Sequence, residues 1–128
     1  MKYLLDTHLL AWAMIDSPKL SNRARAIIME PSNTLYFSVV SLWELAIKGR
    51  VDQVGISAAE LREELLAAGY EELPIIAAHT LGVATLPPIH RDPFDRLLIA
   101  TAASYMGGMT LLTHDATVAQ YASTIVHV

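Results

Sequence analysis

The chain has 128 residues, of which 53% are apolar and 17% are charged, so it can bury a core and is too apolar to be disordered. Its formal net charge of -4 gives no general basic field of the kind that nucleic-acid binders carry, although composition alone neither supports nor excludes an RNA substrate. The absence of cysteine excludes disulfides and thiolate chemistry.

The N-terminal segment is not typical of a secretory signal. Met1 is followed so soon by Asp6 that no apolar signal region can form, and no apolar run has the length of a membrane span. We therefore expect a soluble, cytoplasmic protein with no membrane association, built as a single domain over residues 1–128. The high apolar fraction also indicates that a partner covers part of the surface.

Strand-like runs alternate with helical patterns along the chain. Serines that can cap helices and glycines that can end them mark several of the boundaries. The predicted strands are 3–5, 35–40, 73–76, 109–113 and 125–128, and the predicted helices are 9–15, 21–29, 41–48, 58–68, 77–84, 94–106 and 116–121. This alternation predicts an α/β fold with a central, mainly parallel sheet of four or five strands and right-handed crossovers.

Four acidic residues each lie where an apolar, strand-like run gives way to a helical pattern: Asp6, Glu44, Asp95 and Asp115. The carboxyl ends of parallel strands meet at one edge of a sheet, where ligands bind, so these four side chains are expected to share one pocket. Crowded carboxylates repel one another by about 4 kcal/mol per pair at about 4 Å. A cation relieves that repulsion, and hard oxygen ligands suit Mg²⁺ or Mn²⁺.

Each acid also has a purely structural alternative. Aspartate is a favoured N-cap, and a predicted helix begins shortly after each of Asp6, Asp92 and Asp115. Ser41 and Glu44 have the spacing of a capping box, in which the glutamate would bond the backbone of the serine. Two acids in the opening turn that holds Asp92 and Asp95 are more than capping requires, and the recurrence of the pattern favours the metal site.

The other polar and aromatic residues give weaker indications. The five histidines share no metal-ligand spacing and are interpreted as surface or structural residues, with phosphate binding or proton transfer as an alternative for His90 and His114. Arg91 and Arg96 are expected to form surface ion pairs with neighbouring aspartates or to position phosphate. Core or interface positions are predicted for Trp12, Trp43 and Phe94.

Four segments together resemble PIN-domain ribonucleases, specifically the VapC-type toxins of bacterial toxin–antitoxin pairs: Tyr3–His8, Ser38–Lys48, His90–Ala100 and Leu111–Asp115. They occur in the family's order and at roughly its separations, so the resemblance runs nearly end to end. It implies a three-layer α/β/α fold and metal-dependent cleavage of RNA. It further implies a cognate antitoxin. The high apolar fraction of the chain is compatible with that partner and equally fits a homodimer, and we predict both.

The resemblance also implies roles for individual residues. Asp6, Glu44, Asp95 and Asp115 match the acids that hold one or two divalent ions in this family, and Thr113 matches a residue that orders the site. Thr7 and Asp92 are secondary candidates, and replacement of Asp95 by Asp92 as a ligand stays open. Two other functions are considered: a non-catalytic RNA- or protein-binding module, and a haloacid-dehalogenase-like phosphatase, which usually has an aspartate where this chain has His8.

Overall fold

The computed structural model of the chain describes residues 1–52 and 54–128, with the backbone alone for residues 50–52. Five strands alternate with seven helices over the described residues. In chain order they are β1 (Lys2–Leu5), α1 (Thr7–Met14), α2 (Asn22–Met29), β2 (Thr34–Ser38), α3 (Val39–Asp52), α4 (Ala58–Ala67), β3 (Glu71–Leu73), α5 (Ala77–Val83), α6 (Pro93–Ser104), β4 (Thr110–Thr113), α7 (Ala116–Ala119) and β5 (Val126–His127).

The five strands form one parallel sheet in the order β3-β2-β1-β4-β5. The central strand is β1, in which Leu4 lies opposite Tyr36 on one side and Leu111 on the other. Strands β2 and β3 extend the sheet on one side of β1, and β4 and β5 extend it on the other side. This reversal of strand order places a crevice at the carboxyl end of β1, and ligands bind at such points in open α/β sheets.

Side chains that alternate along the strands fill two separate cores, one on each face of the sheet. Leu4 and Leu111 pack with α6 on one face, whereas the next residues, Leu5 and Leu112, pack with α1 and α4 on the other. Successive residues of a strand point to opposite faces, so both faces must be apolar in a sheet covered by helices. The predicted three-layer α/β/α architecture with four or five strands is confirmed.

Several predicted boundaries differ from the observed ones by a few residues, and three of the differences have a clear local cause. Strand β2 ends at Ser38 because the Ser38 hydroxyl accepts a hydrogen bond from Val40 N at 3.1 Å and turns the chain directly into α3. Helix α3 then continues past Gly49 instead of ending there, and a Cβ added at this glycine would lie only 3.2 Å from Leu45 Cδ1. Strand β3 ends before Pro74, since proline has no N–H for the ladder.

Candidate metal centre

The predicted acids lie together at the carboxyl edge of the sheet, beside the point where strand order reverses. Asp6 directly follows β1, and Asp115 lies two residues beyond the end of β4. Glu44 comes from α3, which begins immediately after β2, and Asp95 comes from the first turn of α6. Four residues distant in sequence therefore reach one edge because each follows or packs beside a parallel strand.

Asp95 is shared by two groups of three side chains, and in each group the potential ligand atoms all lie within 4.8 Å of one another. One group contains Glu44, Asp92 and Asp95, and the other contains His90, Asp95 and Asp115. Asp6 belongs to neither group but lies close enough for its charge to act on Asp95. The cluster is thus centred on Asp95, with carboxylates on both sides of it.

Three of the aspartates cap helices and also contribute to this cluster. In Asp6, Asp92 and Asp115, Oδ1 accepts a hydrogen bond from a backbone N–H in the first turn of α1, α6 and α7 respectively, at 2.8–2.9 Å. The second oxygen, Oδ2, is directed to other side chains in each case. The capping and site interpretations are therefore compatible, because each carboxylate divides its two oxygens between the two roles.

Asp6 is buried and held by residues from β4 and the segment after it. Its Oδ2 accepts hydrogen bonds from Thr113 Oγ1 at 2.8 Å, from His114 N at 2.9 Å and from His114 Nδ1 at 2.8 Å. Burial opposes the charged form, but the hydrogen bond and charge of His114 lower the pKa of Asp6 below its usual value. Thr113 Oγ1 also accepts from Asp115 N at 3.0 Å, so this hydroxyl links two of the acids.

Glu44 is buried, and both of its oxygens have partners outside its own helical turn. Thr7 Oγ1 donates to Oε1 at 2.5 Å, and Lys48 Nζ lies 3.3 Å from Oε2. Ser41 lies inside α3, with its hydroxyl 3.0 Å from that of Thr7, so the capping-box alternative for Glu44 is wrong. Thr7 is instead the residue that orients this carboxylate.

Lys48 is a fixed cation within the cluster that sequence reasoning did not identify. Its Nζ bridges Glu44 and Asp92, at 2.5 Å from Asp92 Oδ2, and lies 4.9 Å from the centre of the Phe94 ring. Burial disfavours the charged amine, yet the hydrogen bond to Asp92 and the charge of Glu44 raise the pKa of Lys48. The spacing of Glu44 and Lys48, four residues apart on one helix, was the available signal.

Asp95 lies in an environment that opposes its negative charge. Burial, together with the charges of Asp92, Glu44 and Asp6, raises the pKa of Asp95 to about 7, although nearby His90 favours its ionised form. The His90 Nε2 lies 3.4 Å from Asp95 Oδ2. A carboxylate in this environment is stabilised by a cation, and a set of hard oxygen donors fits Mg²⁺ or Mn²⁺.

His90 faces the acids as a hydrogen-bond donor. Its Nδ1 accepts from Asp92 N at 2.9 Å, which assigns the ring proton to Nε2, and Nε2 then donates to Asp115 Oδ2 at 3.0 Å. Burial disfavours the ionised carboxylate, but the hydrogen bond to His90 lowers the pKa of Asp115. The sequence favoured a surface or structural role for His90 and His114, with phosphate binding or proton transfer as the alternative. The structure places both beside the acids, and their positions next to acids in the sequence were the signal for this.

Arg96 was predicted to pair with an aspartate or to position phosphate, and the structure gives it a different role. Both terminal nitrogens donate to backbone carbonyls of the preceding loop and of α5, and one also donates to the Tyr121 hydroxyl. Arg96 therefore holds the loop from Leu86 to His90, and His90 is one of the residues of the cluster. Arg91 is exposed, and its contact with phosphate stays a prediction.

A family model for the PIN domain matches residues 3–123. The chain belongs to the PIN-domain family. The family predicted from the four acidic segments is confirmed, and the haloacid-dehalogenase alternative is set aside. Within the part of this PIN domain that the structure describes, no helix combines the length and the apolar character needed to cross a membrane.

One solved structure similar to this PIN domain is the crystal structure of VapBC2 from Rickettsia felis bound to a DNA fragment from their promoter. The TM-score is 0.66 at 18% sequence identity, and the alignment covers 100% of this chain and 98% of the other. Likeness at this level of identity shows the shared fold. No curated protein sequence matches the chain.

Proposed function

We propose that this PIN domain is a divalent-metal-dependent endoribonuclease, and that it acts as the toxin of a toxin–antitoxin pair in the cytoplasm. The observation that carries the proposal is the convergence of two ligand groups on Asp95, at the sheet edge where α/β proteins bind ligands. Membership of the PIN family and the fold shared with the VapBC2 chain support it.

The donor set is consistent with Mg²⁺ or Mn²⁺ as the cofactor. Asp95 and Asp115 would hold the ion directly, and Asp6 would act either directly or through water. Glu44 belongs to the other ligand group, where its oxygens already face Thr7 and Lys48, so it would contribute its negative charge from beside the ion. Such an ion, when bound, lowers the pKa of a water ligand and polarises the scissile phosphate. Thr7 and Thr113 would keep Glu44 and Asp6 in place through the hydrogen bonds already formed.

The position of the Lys48 ammonium group favours one tightly held metal ion over two. It already neutralises Glu44 and Asp92, and Asp92 Oδ1 is used by backbone N–H groups of α6. A second ion on that side would have to displace the ammonium group. We therefore propose that the first ion is held by Asp95 and Asp115, and that Asp92 serves to fix Lys48 and α6.

Cleavage of structured RNA by the purified protein with Mn²⁺ tests the nuclease proposal. Discrete cuts are expected, and they should disappear with a chelator and in Asp95→Asn. The matched control is Asp16→Asn, because Asp16 is an exposed aspartate in a left-handed backbone conformation that asparagine also adopts.

The outcomes separate three explanations. Equal cutting by Asp95→Asn and the unsubstituted protein would indicate a contaminating nuclease. Tight RNA binding without any metal-dependent cleavage would favour the non-catalytic binding module. Loss of cutting in Asp95→Asn alone, with Asp16→Asn fully active, would support the proposal.

A protein partner is supported by apolar side chains left exposed on α3. Trp43 and Ile47 are one helical turn apart, and their exposed fractions are 55% and 56%. We propose that a cognate antitoxin covers such a surface and that two copies of the chain form a homodimer. Expression without the antitoxin should arrest host growth, co-expression should restore it, and unimpaired growth without the partner would contradict the toxin role.

A further inference from the structure

A cavity lies beside the carboxylate cluster and is lined in part by α1. Its volume is about 600 Å³, and it is lined by His8, Trp12, Ile15, Ser17, Lys19, Val54 and His114. This volume falls within the range of about 300–1,000 Å³ that is typical of ligand pockets. His114 connects the cavity to the carboxylate cluster, because it lines the cavity and its Nδ1 lies 2.8 Å from Asp6 Oδ2.

Three aromatic rings form one wall of this cavity. The ring centroids of His8 and His114 are 4.6 Å apart, those of Trp12 and His114 are 5.1 Å apart, and those of His8 and Trp12 are 5.6 Å apart. Trp12 and both histidines are only partly buried, so their rings remain accessible from the cavity. Unpaired nucleobases stack on such indole and imidazole planes, largely irrespective of sequence.

The charge of the cavity differs from that of the neighbouring cluster. Among the described residues that line it, none carries a carboxylate, and Lys19 is exposed. A phosphate of an RNA strand can therefore approach this side with favourable electrostatics. The carboxylate cluster, in contrast, attracts phosphate only when a cation is bound.

We infer that this cavity binds an unpaired RNA base next to the scissile phosphate, with the Trp12 and histidine rings stacking on the base and Lys19 contacting the backbone. The inference rests on the proposed nuclease function and names where its substrate binds. A protein side chain is the rival occupant. The α3 surface of Trp43 and Ile47 is more apolar and more exposed, so a protein partner has the better site there.

The two tryptophans of the chain allow a direct test. Trp43→Phe leaves Trp12 as the single tryptophan, and Trp12→Phe leaves Trp43. Each protein is titrated in EDTA with single-stranded hexa-adenylate and hexa-uridylate, and with an abasic hexamer that keeps the same phosphates. Trp12 emission is expected to fall to saturation with the base-containing strands and to stay constant with the abasic one, while Trp43 emission stays constant throughout.

Affinities measured by anisotropy with labelled strands give a second readout. Trp12→Leu is expected to weaken binding of the base-containing strands by about fivefold or more, the effect of losing one stacked base. Trp43→Leu is the matched control and should leave the affinity unchanged. Lys19→Ala should weaken binding of the normal and abasic strands by the same factor, because its contact is with phosphate.

The inference is overturned if the strands bind to saturation while Trp12 emission stays constant, or if Trp12→Leu and Trp43→Leu weaken binding equally. It is also overturned if Trp12 responds to the co-expressed antitoxin and not to RNA. The emission measurement with Trp43→Phe leaves the cavity intact, so it decides the matter even if Trp12→Leu does not fold. Cleavage with Mn²⁺ by the same proteins separates the two proposals. Cleavage combined with constant Trp12 emission refutes the base site alone, whereas the absence of both RNA binding and cleavage refutes the base site and the nuclease function together.

Discussion

The substitution Asp95→Asn should make the metal-free protein more stable. Asp95 is surrounded by other acids in a mostly buried position, and the raised pKa of its carboxyl, about 7, means that folding opposes its ionisation. Asparagine has nearly the same shape and carries no charge. It therefore removes the repulsion and desolvation without leaving a cavity.

The size of this stability change follows from the difference between the pKa of Asp95 in the folded and in the unfolded state. The unfolded chain releases this proton near the ordinary pKa of 3.8, and the folded chain releases it near pH 7. At about 1.4 kcal/mol per pH unit, the complete difference corresponds to about 4 kcal/mol. The Asp95 side chain is 21% exposed, so water screens part of this electrostatic interaction. We therefore expect Asp95→Asn to raise the free energy of unfolding by about 2 kcal/mol at pH 8.

The sign can be checked through pH. Below about pH 4 the Asp95 carboxyl is protonated in both the folded and the unfolded state, and it does not lower the free energy of unfolding. That free energy falls as pH rises to about 7, because the folded protein holds this proton more tightly than the unfolded chain does. The advantage of Asp95→Asn should therefore be largest at pH 8 and should shrink toward pH 4. Urea unfolding in EDTA at several pH values measures it.

Asp92→Asn is the matched control, because it makes the same substitution in the same helical turn. The hydrogen bond of Asp92 to Lys48 holds its pKa below the usual range even though burial favours the neutral form. Removal of this charge should lower the free energy of unfolding by about 1–3 kcal/mol at pH 8, the opposite sign from Asp95→Asn.

With added Mn²⁺ the unsubstituted protein should become more stable to unfolding than Asp95→Asn. A ligand at 100 times its dissociation constant stabilises the folded state by about 2.7 kcal/mol, and only a protein with an intact site receives this gain. The reasoning is refuted if Asp95→Asn is the less stable protein in EDTA at pH 8, or if its effect does not vary with pH.

Three further outcomes are expected. Arg96→Met should lower the free energy of unfolding by about 2–3 kcal/mol, because several loop carbonyls lose their donor, whereas exposed Arg91→Met should change it by less than about 0.5 kcal/mol in urea titrations. Thr113→Val should cost about 1–3 kcal/mol and raise the pKa of Asp6 in an NMR titration, and Thr110→Val, at the other end of β4, should do neither. Calorimetry should show Mn²⁺ binding with proton release at pH 6 and little at pH 8, since Asp95 must ionise to bind the ion.

Local signals in the sequence predicted the elements well because they act between neighbouring residues. Ser21 and Ser57 cap α2 and α4 as expected, and Gly69 follows α4 with a φ of 90°. They failed where two local preferences competed. Residues 39 and 40 have β-branched side chains typical of a strand, but the turn at Ser38 starts α3 there instead.

The sequence by itself determined the alternating pattern of strands and helices, and with it the parallel sheet and the edge at which the four acids gather. Only the tertiary structure decided which atoms meet there. Thr113 lies 107 residues from Asp6 and Lys48 lies 44 residues from Asp92, so their contacts depend on the strand order and on how α3 and α6 pack. Periodicity and capping fix a residue's place on its own element, whereas the pairing of charges across elements is set by packing of the whole core.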